Sequence, residues 1–171
     1  MAAVVNAGLA QKISAPNPFA LITSTDGTKT NIMALSWWTY CSNKPMTIAV
    51  CINDHSYSGR CIAENKQFCL CLPGKELAEP AFLTGTCSGE ETDKAQKMNS
   101  ELIPGEEIAP QYVKNSRLVL ECRVKDIFQV SDHRMFIAEV IAMHVNPDIK
   151  NLMAVNGYSK LSTVEICAER Q

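Results

Sequence analysis

Indole rings and hydroxyl groups are concentrated at the end of one predicted strand, which runs from Thr30 to Thr39. Alternation along a strand places its side chains on two opposite faces: Asn31, Met33, Leu35 and Trp37 on one, and Ile32, Ala34, Ser36 and Trp38 on the other. Half-buried strand positions explain the apolar members, but they explain less well the Ser-Trp-Trp-Thr cluster at the strand's end. Aromatic faces beside hydroxyl groups suit a flat heteroaromatic ligand that is hydrogen-bonded at its edge.

A second polar segment, His55 to Arg60, places two hydroxyl groups and a guanidinium at the predicted start of a helix. Ser56 or Ser58 can cap this helix, which is predicted to run to about Lys66. The backbone N–H groups and the dipole at a helix start favour a phosphate group. Capping alone explains one of the two serines equally well.

Other signatures of catalysis and metal binding are missing. The eight glycines form neither a G-x-G-x-x-G fingerprint nor a phosphate-binding loop, and the sequence has no G-x-S-x-G, C-x-x-C or H-E-x-x-H motif. Cys69 and Cys71 stand two residues apart on a probable strand and could supply half a metal site, but nothing near them completes it. We therefore interpret both cysteines as core residues and expect no metal.

Composition and charge exclude several classes of protein. The chain has 171 residues, of which 46% are hydrophobic and 20% charged, with a formal charge of -2. This is not the composition of a disordered chain, and a nucleic-acid partner would require a concentrated basic face. The longest apolar runs are about five residues long, whereas a membrane-spanning helix needs about 20. We expect neither a nucleic-acid nor a membrane partner.

The cysteines and the first residues indicate the compartment. The opening MAAVVNAGLAQKI has no basic residue ahead of its apolar part and no convincing cleavage site, so we interpret it as mature sequence. Most of the eight cysteines lie in apolar runs, as Cys51, Cys69 and Cys122 do. Because buried free thiols suit a reducing environment, the sequence predicts a cytoplasmic protein.

The strongest periodicity of the hydrophobic residues is two, as in a strand with one buried face. Between Arg117 and Lys125 the even positions are apolar and the odd positions mostly polar. A polar break at Ser131-Asp132-His133 separates this strand from a second long one, and the pair predicts a hairpin. The turn signal Thr25-Asp26-Gly27 joins two more predicted strands, Phe19–Ser24 and Thr30–Ser36.

Further runs complete the predicted architecture. Met46–Ile52 and Gln67–Leu72 have the composition of strands, and a surface helix is predicted to begin at Ser88 and to include Lys97. No repeat and no linker divides the chain, so residues 1–171 are interpreted as one domain. Antiparallel hairpins with a few short surface helices predict a mainly β fold, a closed or partly closed antiparallel barrel.

Short motifs follow one another from about residue 14 to about residue 161: Pro16-x-Pro18 with Ala-Leu-Ile-Thr-Ser, Asp26-Gly27, Asn31 to Trp37, Cys41-Ser42-Asn43-x-Pro45-Met46, Ser56 with Ser58, Phe68-x-Leu70-x-Leu72-Pro73, Ser88-Gly89 with Asp93-Lys94, and Asp132-His133 with Phe136 to Val140. Each motif is weak alone, but the ordered series is fairly specific. It resembles the flavin reductase-like family of FMN-binding split β-barrels, with the flavoredoxin branch nearest.

The resemblance implies a homodimer that binds FMN near the subunit interface. It places seven residues along the isoalloxazine ring and the ribityl chain: Asn31, Met33, Ala34, Ser36, Trp37, Trp38 and Thr39. Ser56, Ser58 and Lys94 become the candidates for holding the phosphate or the outer ring edge. A lysine near the N1–C2=O edge would stabilise anionic reduced flavin, whereas without the resemblance Lys94 would be interpreted as a solvated helix charge.

The resemblance also implies a redox function. In the enzyme version, NADH or NADPH passes hydride to flavin N5, and the reduced FMN then reduces free flavin, ferric iron or a protein partner. His133 could orient the hydride donor, or it could simply be a polar turn residue. Two alternatives stay open: a flavoredoxin-like electron carrier without NAD(P)H turnover, and a β-barrel binding module with no redox role.

The sequence departs from the family pattern at several positions. Asn53-Asp54-His55 stands where relatives often carry an arginine, so the phosphate contact could fall to Arg60 or His55. Cys87 is a possible exposed thiol near the flavin, with free-cysteine packing as the alternative. Glu139 is expected to pair with a basic residue across the barrel.

Overall fold

In the computed structural model, which describes residues 5–165 and 167, most of the regular backbone lies in antiparallel strands. The strands are β1 (Asn17–Pro18), β2 (Ala20–Thr25), β3 (Thr30–Leu35), β4 (Trp38–Asn43), β5 (Met46–Asn53), β6 (Gln67–Pro73), β7 (Leu102–Ile103), β8 (Tyr112–Val113), β9 (Ser116–Val130), β10 (His133–Val145), β11 (Met153–Ala154) and β12 (Leu161–Ser162). The helices are α1 (Ala7–Ile13), α2 (Tyr57–Asn65), α3 (Ala78–Thr84) and α4 (Lys94–Met98), with a 3-10 helix at Lys75–Leu77.

The main sheet has seven strands in the order β3-β2-β6-β9-β10-β5-β4. The two predicted hairpins are confirmed, β2 with β3 and β9 with β10. The β2–β3 turn is tight because Asp26 Oδ1 accepts the backbone N–H groups of Thr28 (2.8 Å) and Lys29 (3.0 Å), while Gly27 adopts a φ of +92°. This hairpin brings the candidate residues of β3 beside β2.

Apolar side chains pack on both faces of the sheet. The inner cluster is formed by Ala20, Ile22, Leu35, Ile48, Val50, Ile52, Ile62, Phe68, Leu70, Leu120, Cys122, Val124, Phe136 and Ala138. The outer cluster is formed by Phe19, Leu21, Ile32, Cys69, Cys71, Leu77, Ala81, Met98, Ile108, Val113, Val119, Leu152 and Ala154.

The sheet curves around the inner cluster. Leu35 of edge strand β3 belongs to this cluster, and Trp38 of the opposite edge strand β4 packs against it. One face of a sheet can form a single cluster from edge to edge when the sheet bends around that face. The predicted fold class is confirmed as mainly β, with antiparallel strands and a few short helices.

The prediction of one buried face on the Arg117–Lys125 strand is correct for the even positions but incomplete. Val119 and Glu121, at odd positions, are also buried. The reason is the outer cluster, which covers the second face of β9 with the segments that follow β6 and β10.

The predicted helix after Ser56 is confirmed as α2, whose N-cap is Ser56 and whose C-cap is Lys66. The helix predicted from Ser88 is wrong at its start, because residues 85–93 form a loop and α4 begins at Lys94. The side chain of Asp93 accepts the backbone N–H of Gln96 at 3.0 Å and caps α4 there. Helices α1 and α3 have no counterpart in the sequence-based prediction.

All eight cysteines are free thiols. Cys69, Cys71 and Cys122 are buried, as their apolar surroundings predicted, whereas Cys51 is only partly buried; Cys61 of α2, for which no prediction was made, is buried as well. No helix in the part of the chain that the structure describes combines the length and the apolar character needed to cross a membrane. Within the same residues, His, Cys, Asp and Glu side chains do not gather into a group of three that could hold a metal ion.

Candidate functional site

The main sheet, the start of α2 and the α3–α4 loop enclose a cavity of about 500 Å³, here called the larger cavity. Its size falls within the range of sites that bind small molecules and cofactors. Its walls are formed by Phe19, Met33, Ala34, His55, Ser56, Tyr57, Ser58, Ala81, Phe82, Thr84, Gly85, Thr86, Cys87, Ser88, Gly89, Lys94 and Tyr158.

The start of α2 supplies hydroxyl groups to this cavity. Ser56 Oγ accepts the backbone N–H of Gly59 (3.4 Å) and donates to Met33 Sδ (3.3 Å), which ties the helix start to β3. Ser58 Oγ accepts the amide of Asn31 Nδ2 at 2.6 Å. The Asn31 side chain is itself buried behind this wall, and its Oδ1 finds no hydrogen-bond partner among the described residues.

The cationic group of the larger cavity is Lys94, the first residue of α4, whose residue surface is only 6% exposed. Its Nζ donates to the backbone carbonyl of Thr84 at 2.7 Å, and no carboxylate of the described residues lies within ion-pair distance. Burial lowers the pKa of Lys94 from its ordinary value. A buried ammonium that lacks a counterion favours an anionic group in the cavity.

The two alternative candidates for the phosphate contact lie in different places. His55 lines the larger cavity, whereas Arg60 does not and instead pairs with Glu90 at 2.6 Å on the surface. A phosphate contact for either residue stays a prediction.

Two further residues of the sequence analysis are located by the structure. Cys87 is half-buried in the cavity wall, with its Sγ 3.5 Å from the carbonyl of Leu83. Glu139 pairs with a basic residue, as expected, but this residue is Lys125 on the neighbouring strand, at 2.7 Å, and not one across the barrel.

A smaller cavity of about 300 Å³ adjoins the larger one, and the two share Met33, Ala34, Ser56 and Tyr158. Trp37 and His133 line it and stack on each other, with ring centroids 4.8 Å apart and planes inclined by 28°. His133 Nδ1 lies 2.8 Å from Asp132 Oδ1, and this hydrogen bond lowers the pKa of Asp132. The ring of His133 is therefore held from two sides.

Four of the residues assigned by the resemblance line neither cavity: Asn31, Ser36, Trp38 and Thr39. The backbone N–H of Ser36 donates to the hydroxyl of Tyr158 at 2.7 Å. Trp38 packs against the inner cluster, where its Nε1 has no hydrogen-bond partner among the described residues, and Thr39 is exposed on β4. The strand pattern breaks between β3 and β4, so one alternation cannot describe residues 30–39. A flavin contact for these four residues, as for the other assigned residues, stays a prediction.

Sequence reasoning missed several residues of the larger cavity. Tyr158 lines both cavities and packs edge-on against Phe19, at 6.2 Å between ring centroids. Phe82 and Thr84 come from α3, which was not predicted. An isolated tyrosine beyond the last long strand carries no local signal of its position, because tertiary packing alone brings it to the cavity.

Comparison with known proteins shows which family and which relatives the chain is similar to. Residues 13–162 match the family model described as flavin reductase like domain. An uncharacterized protein of Archaeoglobus fulgidus is 28% identical over 113 residues, which are 66% of this chain and 64% of that protein. The chain thus spans less than two thirds of that relative's length.

Two solved structures share the fold. A flavoredoxin from Methanosarcina acetivorans superposes with a TM-score of 0.85 at 24% identity, covering 99% of this chain and 95% of its own. The NADH:FAD oxidoreductase SgcE6 of Streptomyces globisporus superposes with a TM-score of 0.85 at 16% identity, covering 97% and 99%. The family match spans nearly the whole chain and agrees with the motifs of the sequence, so the chain belongs to the flavin reductase like domain family.

Proposed function

We propose that the larger cavity binds FMN and that the chain is an oxidoreductase that uses NADH or NADPH to reduce free flavin or ferric iron through it. The observation that carries the proposal is the buried ammonium of Lys94, which faces no carboxylate among the described residues and lines a cavity of cofactor size. FMN would supply the negative charge that this lysine lacks, through either its phosphate group or its reduced ring. The family membership supports the same cofactor.

The residues present fit such a ligand. Ser56 and Ser58 at the start of α2 would hold the phosphate, because a helix N-terminus and its hydroxyls favour an anion. Met33 and Ala34 would contact the ring, and Lys94 would hold either the phosphate or the polar edge of the ring. The assignments of Asn31, Ser36, Trp37, Trp38 and Thr39 belong to the same proposal. When bound, FMN would accept hydride at N5 and pass the electrons on to an acceptor.

The smaller cavity is the proposed place of the electron donor. It adjoins the larger cavity through Met33, Ala34, Ser56 and Tyr158, so a donor held there would lie next to the flavin. Trp37 offers an aromatic face, and His133, fixed by Asp132 and by the stack, would orient a nicotinamide ring. His133 is the proposed catalytic residue in this sense.

A flavoredoxin-like electron carrier is the second candidate, supported by the superposition on the Methanosarcina flavoredoxin. Both functions use one flavin site, so binding alone does not separate them. We also propose a cytoplasmic homodimer. Exposed apolar side chains near the turn of the β9–β10 hairpin, with Phe128 50% and Val130 48% exposed, support an association between copies.

Absorption spectroscopy, a turnover assay and a mass measurement test the proposal together. We expect the purified chain to bind one FMN per protomer, with the flavin bands in its visible spectrum, and to have twice the mass of an 18.8 kDa chain. We expect NADH or NADPH oxidation above the rate with free FMN alone. If the chain binds FMN but does not oxidise NADH or NADPH above that rate, the electron-carrier function is supported instead. A protein that takes up no flavin would contradict the proposal and favour a non-redox binding module.

A further inference from the structure

One wall of the larger cavity is the loop of residues 85–93, which joins α3 to α4. Most of the loop's own hydrogen bonds are local. Thr86 Oγ1 donates to Leu83 O at 3.0 Å, and the backbone N–H of Glu90 donates to Ser88 Oγ at 3.2 Å. Such bonds shape the loop, but they do not hold it against the other side of the cavity.

Two cationic side chains tether this loop to the opposite wall. Lys29, in the β2–β3 turn, donates from Nζ to the backbone carbonyl of Gly89 at 2.8 Å. Arg60, in α2, donates from Nη2 to Glu90 Oε2 at 2.6 Å. Among the described residues, these are the hydrogen bonds that connect the loop to elements distant in sequence. They span the gap between the loop and the start of α2.

The gap beneath the tethers is closely packed. Gly89 is buried, and a Cβ atom at this position would overlap the side-chain amide of Asn31 and come within 3.1 Å of the Tyr57 ring. Tyr57 is in turn fixed by donating its hydroxyl to Asp26 Oδ2 at 2.6 Å. The loop backbone is therefore pressed against the serine-bearing start of α2.

We propose that the two tethers close the larger cavity beyond the phosphate end of its ligand and so make the chain select a flavin mononucleotide over a flavin dinucleotide. The inference rests on the proposed FMN site. In a dinucleotide, a second phosphate and an adenosine continue from the first phosphate, which Ser56 and Ser58 would hold. In this proposal these groups would leave through the gap that Lys29 and Arg60 span. The tethers then have to break, and the loop has to move off the start of α2, for FAD but not for FMN.

The experiment compares the dissociation constants of FMN and FAD, measured by calorimetry on the full chain. The test variants are Arg60→Gln with Glu90→Gln, which removes the ion pair without changing net charge, and the same pair combined with Lys29→Gln. The matched control is Lys114→Gln with Glu101→Gln. That pair has the same 2.6 Å separation and similar exposure on another part of the surface.

We expect the wild-type chain to bind FMN more tightly than FAD. An exposed ion pair contributes little to holding the loop closed, so the double variant should lower the ratio of the FAD dissociation constant to the FMN dissociation constant by about threefold. A hydrogen bond from a charged group contributes more, so the variant that also carries Lys29→Gln should lower this ratio by about tenfold. The control should leave the ratio unchanged. Thermal unfolding of each variant verifies that it is folded.

The outcomes separate the two proposals. If FMN binds but the ratio is the same in all variants, or the control changes it equally, the selectivity inference is wrong and the FMN site stands. If the wild-type chain binds FAD as tightly as FMN, the inference is also wrong. If neither flavin binds, the proposed function fails, and the inference fails with it.

Discussion

At the scale of single residues, the proposed binding of an anionic group in the larger cavity depends on Lys94. An ammonium in a low-dielectric site loses its hydration, and one carbonyl bond to Thr84 restores only part of that loss. An anionic ligand would supply the rest, which is why the lowered pKa of this lysine agrees with a binding role. Lys97, one turn later on the same helix, is exposed.

Replacing Lys94 by methionine should weaken FMN binding by about tenfold to a hundredfold, since a hydrogen bond to a charged group contributes about 1.5–3 kcal/mol. Lys97→Met is the control and should change the affinity less than threefold, because an exposed charge is screened.

Calorimetric titration at several pH values measures the FMN affinity of the wild-type chain and of both variants. Wild-type affinity should fall as the pH rises towards the lowered pKa of Lys94, and the Lys94→Met variant should lack this dependence. Equal effects of the two variants would contradict the role of Lys94.

Residue types and spacing, together with the family resemblance, predicted part of the larger cavity. Met33, Ala34, Ser56, Ser58 and Lys94 were named in this way, Lys94 through the resemblance alone, and all line it. For Trp38 and Thr39 the predicted position depended on one continuous strand, and the break at Ser36 removes that premise. The cavity residues from α3 and Tyr158 had no local pattern, because their position depends on packing between segments that are distant in sequence.

At the scale of elements, the start of α4 fixes where the cationic group of the cavity lies. Both Ser88 and Asp93 are good N-cap residues, and the sequence alone favoured the first. The structure uses Asp93, whose side chain accepts the backbone N–H of Gln96, and Gly89 lies in the loop before the helix, with its backbone against Asn31. The choice of cap therefore places Lys94 in the first turn, beside Thr84.

Asp93→Ala should lower the free energy of unfolding by about 1 kcal/mol, the usual contribution of an N-cap, and should also weaken FMN binding through Lys94. Ser88→Ala is the matched variant and should lower it by less than about 0.5 kcal/mol, because Ser88 caps no helix. Urea denaturation measures the free energy of unfolding of each variant. A Ser88→Ala cost as large as that of Asp93→Ala would mean that the helix begins earlier.

At the scale of the whole molecule, a buried charge network holds the outer layer against the sheet. Glu121 of β9 is fully buried and accepts hydrogen bonds from the backbone N–H groups of Glu106 (2.9 Å) and Glu107 (2.8 Å), and its Oε1 lies within hydrogen-bond distance of His144 Nε2 (2.7 Å). Burial alone would raise the pKa of Glu121, but these hydrogen bonds outweigh it and lower the pKa below its ordinary value.

Glu121→Gln should lower the free energy of unfolding by about 1–3 kcal/mol at neutral pH, since it weakens charged hydrogen bonds in a buried site. Because the folded pKa of Glu121 is lowered, its stabilisation is complete above the ordinary pKa of 4.5 and is lost as the pH falls through the folded value. The difference from wild type should therefore shrink below pH 4.5. Urea denaturation across this range measures it.

Glu139→Gln is the control for this experiment. Its partner Lys125 is about half exposed, so the pair should contribute less than about 1 kcal/mol at any pH. A constant difference between Glu121→Gln and wild type at all pH values would contradict the role of the carboxylate charge.

Much of the fold followed from the sequence. Alternation, apolar runs and turn residues located β2, β3, β5, β6, β9 and β10 to within about five residues, because each lies mostly in one continuous run of strand-like composition. The outer layer could not be predicted in the same way. Its short strands and the loop around Ile108 take their places through contacts such as those of Glu121, and a polar residue at an odd strand position gives no sign of them.

The chain contains two tryptophans, adjacent in sequence and in opposite environments. Trp38 packs on the inner cluster, whereas Trp37 is 42% exposed and stacks on an imidazole at the smaller cavity. Indole fluorescence depends on solvent polarity and is quenched by a neighbouring imidazolium. With Trp38 replaced by phenylalanine, the emission of Trp37 becomes an intrinsic optical reporter for that cavity, and it should follow the arrival of the proposed electron donor without any attached label.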